Sequence, residues 1–89
     1  MVRSSLTAEN TWTDTIDIPA DNFSLSVWGT FVATISVQKT FDGGTTWLAV
    51  EDFTTPGEYI GTEPEGSKYR VGIKTGYYTS GTVELRLAV

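Results

Sequence analysis

A protein of this size that did chemistry would need a nucleophile, a general base or a metal set. This chain has no histidine and no cysteine, which removes the commonest general base, the thiolate nucleophile and most transition-metal ligand sets together. Carboxylates remain, and glycoside hydrolysis needs only two of them flanking one bond. Glu58, Glu63 and Glu65 stand close in sequence, but they share their stretch with Pro56, Gly57, Gly61, Pro64 and Gly66 and have no companion motif. A solvated loop is the expectation. Asp14, Asp17 and Asp21 are spaced too loosely for a calcium loop, which places oxygen ligands at alternate positions around a central glycine. The reading is therefore of a non-enzymatic protein with no catalytic residue, no metal site and no cofactor.

One segment carries a specific signal: Thr40-Phe41-Asp42-Gly43-Gly44-Thr45-Thr46-Trp47. Asp-Gly-Gly between two strand-like runs predicts a hairpin turn, because glycine adopts the positive φ of a tight connection and Asp accepts hydrogen bonds from nearby backbone N–H groups. The same residues match the Asp-box pattern, Ser/Thr-x-Asp-x-Gly-x-Thr-Trp, at every defined position. Asp boxes are similar structural staples repeated on the blades of sialidase propellers, away from the catalytic centre. The resemblance implies that Asp42 ties the turn, Gly44 permits it, Thr40 and Thr46 add hydroxyl bonds and Trp47 packs beneath. It does not imply sialidase activity, since there is one copy in 89 residues.

The wider stretch Phe23–Trp47, with Trp28-Gly29-Thr30-Phe31-Val32-Ala33-Thr34-Ile35 leading through Val37-Gln38 into the box, resembles a segment of small bacteriophage virion proteins. Those are structural components, including capsid decoration and head-associated accessory proteins. The resemblance implies self-assembly and docking on other virion proteins, a virion destination, and a trimer before a dimer, because decoration proteins frequently occupy threefold capsid positions.

The runs on either side of the box, and those before and after them, read as strands. Apolar residues recur with period two, as in strands half buried against a core. In Asn22–Trp28, residues Phe23, Leu25 and Val27 face one way and Trp28 the other; Phe31–Val37 repeats the pattern with Phe31, Ala33, Ile35 and Val37 inward. Lys68–Lys74 and Thr82–Val89 are the clearest strands, and Thr75–Gly81 is expected to join them as a hairpin that sets Glu84 near Arg70 or Lys74. Weaker strands are expected at Trp12–Ile18, with Trp12, Ile16 and Ile18 on one face, at Thr46–Phe53 and near Glu58–Gly61. Pro19, Pro56 and Pro64 fall between these runs, where no ladder donor is lost. No segment carries a helical stripe.

Six to seven short strands in 89 residues predict one compact antiparallel β-sandwich, with a small closed barrel as the alternative. A net charge of -5 argues against nucleic acid, whose phosphates demand clustered Lys and Arg. No apolar run reaches the roughly 20 residues of a spanning helix, and the first ten residues lack the apolar region of a signal peptide. Synthesis in a host cytoplasm and no membrane partner are expected. A thin core and open sheet edges favour a homo-oligomer. Among the aromatics, Trp12, Phe23, Phe31, Trp47 and Tyr69 have core positions in this reading. Trp28, Phe53, Tyr77 and Tyr78 do not, and are the interface candidates. An aromatic-rich β-domain of this kind also fits a carbohydrate-binding or adhesion module.

Overall fold

The computed structural model describes residues 2–89; Met1, part of the segment read for a signal peptide, lies outside the described residues. Among the described residues there are eleven strands and no helix, and all pairings are antiparallel. The first sheet contains β1 (Val2–Leu6), β4 (Asn22–Trp28), β8 (Gly57–Thr62) and β11 (Val83–Ala88) in the order β1-β11-β4-β8. The second contains β2 (Thr11–Trp12), β3 (Ile16–Ile18), β6 (Ile35–Thr40), β7 (Leu48–Phe53) and β9 (Ser67–Ile73), with β9 joining β2 and β3 to β6 and β7 outermost. A small ribbon pairs β5 (Phe31–Ala33) with β10 (Tyr78–Gly81).

The period-two pattern dictates what lies between the two sheets. Phe23, Leu25, Val27, Val83, Leu85 and Leu87 from the first meet Ile18, Ile35, Val37, Tyr69, Val71 and Ile73 from the second, all buried. Sandwich, rather than barrel, is the architecture: neither sheet closes on itself among the described residues. Phe23 and Tyr69 pack ring to ring across the gap, 4.9 Å between centroids.

Several expectations need correction. Thr75–Gly81 is not a hairpin between neighbours, because the two clear strands lie in different sheets. After Ile73 the chain leaves the second sheet, forms β10 against β5 and enters the first sheet as β11. Glu84 therefore lies opposite Trp28 and Ser5 and accepts a hydrogen bond from the Ser5 hydroxyl, rather than pairing with Arg70 or Lys74. Phe31–Val37 breaks at Thr34, where the chain passes from the ribbon into the second sheet. Strand β1 went unread because its exposed positions, Arg3 and Ser5, leave only a short apolar alternation.

Trp12 is the instructive case. It lies opposite Gly72, whereas Ile16 lies opposite Tyr69, so four steps along one strand span three on the other. One extra residue reverses the face. Ile16 and Ile18 keep to the core side, Thr13 turns inward with its Oγ1 accepting from the Val71 N–H at 3.1 Å, and Trp12 is left on the outer side, half-buried. Gly72 makes this possible: a Cβ there would stand 2.6 Å from the indole.

Candidate functional site

The Asp-box segment is closed by hydrogen bonds among its own residues. The Thr40 hydroxyl donates to Asp42 Oδ1 at 2.7 Å and itself accepts from the N–H groups of Asp42 and Gly44 at 3.3 and 3.0 Å. Asp42 Oδ1 also accepts from the Thr46 N–H at 2.9 Å. Gly43 and Gly44 have φ of 75° and 103°, conformations that side chains with a Cβ rarely adopt. The Thr46 N–H, followed by the Thr40 and Thr46 hydroxyls, holds the Asp42 carboxyl at about 2, well below its usual 3.8. Its oxygens are thus committed to closing the turn.

A second carboxylate does the same work unannounced. Glu63, expected in a solvated loop, is buried at 1% exposure. One oxygen accepts from the N–H groups of Glu65 and Gly66, both at 3.0 Å, and the other from the Tyr69 hydroxyl at 2.8 Å and Lys39 Nζ at 3.2 Å. Burial alone would raise its pKa, yet the Glu65 N–H, the Tyr69 hydroxyl and the Lys39 ammonium together bring it down to about 2. Burial, and then the adjoining carboxylate, push the Tyr69 hydroxyl well above its ordinary value. Buried and ionised, this carboxylate is committed to its four donors.

The Asp-box loop and the Glu63 loop flank an open groove of about 480 Å³, lined by Asp17, Phe41, Glu65 and Lys68 among others. Lys68 Nζ bridges Asp17 Oδ1 at 2.8 Å across exposed ends of β9 and β3. Phe41 stands 61% exposed at its rim. Among the described residues no cluster of three His, Cys, Asp or Glu side chains could hold a metal ion.

Trp47 departs from expectation as Trp12 does. It is half-exposed on the outer side of the second sheet, with its ring alongside Gly44. The Arg70 guanidinium bridges the two indoles, 4.0 Å from the Trp12 ring centroid and 4.1 Å from that of Trp47, and donates to Gln38 Oε1 from Nε and Nη2 at 3.1 and 2.9 Å. Planar stacking of this kind is a property of Arg and not of Lys. The signal was in the register of β9, where Arg70 shares the outer face with Gly72; it lacked only the face of Trp12.

The four interface candidates do not assemble into one patch. Phe53 is half-buried against the core and stacked on Tyr59, 3.6 Å between centroids. Tyr78 also packs on the core, its hydroxyl donating to the Gly81 carbonyl at 2.8 Å. Both have core places that sequence reasoning denied them. Trp28 and Tyr77 do reach solvent, Trp28 beneath Arg3 on the outer side of the first sheet and Tyr77 beneath Lys74 beside the ribbon. Larger apolar exposure lies elsewhere: Ile60 on β8 is the most exposed, followed by Val89, Phe41 and Val32, with Leu48 and Val50 on β7 behind them. Val50 and Ile60 border one small cavity with Phe53 and Tyr59, at the flank where the sandwich is open.

No family model, curated protein or solved structure matches the chain. What it does must be argued from its surfaces.

Proposed function

We propose that this chain is a non-enzymatic structural protein of a bacteriophage virion, a capsid decoration or head-associated accessory protein that acts by self-assembly and by docking on other virion proteins. The observation that carries the assembling role is the flank between β7 and β8, where Leu48, Val50 and Ile60 are exposed along strands whose outer edges are unpaired. Exposed apolar residues on open edges are what monomeric proteins blunt and assembling proteins use. The virion destination comes from the likeness of Phe23–Trp47 to phage structural proteins. Native mass measurement of the chain alone and mixed with phage capsids tests both parts. Binding at a fixed copy number per capsid is expected, and a protein that ignores capsids overturns the virion assignment.

A carbohydrate-binding or adhesion module is favoured by one observation, the exposed Phe41 at the rim of a groove with Asp17, Glu65 and Lys68, an aromatic face beside hydrogen-bonding groups. Against it, Trp12 and Trp47 are engaged by Arg70 rather than presented as an open row. Glycan binding that disappears in Phe41→Ala would establish this second reading. Under either reading no hydrolase activity is expected, and glycoside turnover abolished by changing one carboxylate would refute both.

A further inference from the structure

The geometry points to the free edge of β8 as a self-pairing surface, on which a second copy of this chain adds its own β8 antiparallel across a two-fold axis at Ile60. This rests on the assembly reading above and names the contact. The four outer edges of the two sheets differ. β7 carries a register shift and the adjacent charges Glu51 and Asp52. β2 and β3 are two and three residues long. β1 exposes only Arg3 and Ser5 along its length. β8 alone runs six residues in unbroken register with its neighbour, with Pro56 outside the strand and no lysine within it. Of the devices that protect an edge from another chain it carries a single charge, Glu58, and no bulge, proline or lysine. Its outward positions are Glu58, Ile60 and Thr62, and Ile60, at 80%, is the most exposed of the large apolar residues.

The sequence of β8 then selects a register. Directly opposed residues of an antiparallel pair lie on the same sheet face, so a two-fold axis can pass through Ile60 or through Tyr59 but not between them. Centring on Tyr59 sets each Glu58 against Ile60 of the second copy, burying a charge against an apolar side chain. Centring on Ile60 sets Ile60 against Ile60, Glu58 against Thr62 and Tyr59 against Gly61. The isoleucines then cover one another, the carboxylates face hydroxyls, and the tyrosine meets a residue with no side chain. Each four-stranded sheet continues into that of the second copy. With -5 on each chain, long-range repulsion opposes the pairing, and added salt strengthens it.

Sedimentation equilibrium of the full chain at roughly 0.5 mM, high enough for a contact of small area, is expected to give twice the 9.7 kDa of one chain, shifting to the single mass in Ile60→Lys. Since Ile60 is solvent-exposed, that variant keeps its fold, checked by circular dichroism. The register has its own test, because the chain has no cysteine and opposed Cα atoms about 4.5–5.5 Å apart suit a disulfide. Under mild oxidation Ile60→Cys should cross-link at least tenfold faster than Glu58→Cys. A trimer, an oligomer indifferent to Ile60→Lys, or equal cross-linking of the two cysteine variants would overturn the β8 contact and leave the assembly reading standing. A wild-type monomer at that concentration, alone and on capsids, would overturn both.

Discussion

Asp42 and Glu63 close two turns with the same device, a carboxylate accepting backbone N–H groups a few residues ahead, yet they are joined to the rest of the molecule differently. The hydrogen bonds of Asp42 lie within Thr40–Thr46, with the carboxylate itself at the surface and only Thr40 buried beneath it. Glu63 adds Lys39 and Tyr69 from the two central strands of the second sheet, and does so out of water. One carboxylate finishes a hairpin. The other fastens a loop to a sheet, and its removal strands the buried Tyr69 hydroxyl, which has no solvent to turn to. A shared pKa near 2 thus conceals unequal structural weight: a lowered pKa reports how well an anion is solvated by its neighbours, not how far those neighbours depend on it.

The contrast can be broken by experiment, beginning with the largest effect. Glu63→Ala should destabilise the fold by about 3 kcal/mol, since it leaves a buried hydroxyl, two N–H groups and a largely buried ammonium unpaired. Urea unfolding measures this, and a loss no larger than that of Asp42→Ala would erase the distinction. Acidification comes next. Both folded-state values are depressed, so both carboxylates contribute stability that is complete above their ordinary values of 4.5 and 3.8 and is lost as pH falls toward 2. Stability should therefore decline from about pH 4.5 downward, and Glu63→Gln combined with Asp42→Asn should flatten that decline; an unchanged slope would mean other groups carry it. Asp42→Ala should follow, lowering the thermal midpoint by less than half as much as Glu63→Ala, because water reaches the amides it frees. Smallest is Lys68→Ala, which breaks the exposed pair with Asp17 and should cost no more than about 0.5 kcal/mol, measured in the same urea series.

How far each turn was legible follows from where its partners sit. The Asp box could be read because turn, acceptor and donors are contiguous. Glu63 could not, because Lys39 is 24 residues upstream and Pro64 and Gly66 beside it look like any wet loop. The same limit explains the strands. Alternation gave Phe23, Leu25, Val71 and Leu85 their inward face, but a period of two says nothing about which sheet a strand joins, so β9 and β11 were taken for neighbours. It also fails wherever one residue is added, as between Trp12 and Ile16. Trp47 departs from its expected core place for a different reason: the Asp-box pattern specifies the aromatic but not the surface it covers, which here is Arg70. The all-β class and the sandwich survive these errors, and a strand count of six to seven against the eleven present, because they depend on short half-apolar strands needing cover and not on their number or order.

The Trp12–Arg70–Trp47 bridge has a spectroscopic consequence. Of the three indoles in the chain, two report on one joint, where β2, β9 and the end of the Asp-box loop come together, while Trp28 reports alone from the other sheet. Trp28→Phe therefore yields a protein whose tryptophan emission, excited selectively over tyrosine, follows only the second sheet, and Trp12→Phe with Trp47→Phe one whose tryptophan emission follows only the first. Stopped-flow traces of the two would time the closing of each half of the sandwich separately, with no dye attached.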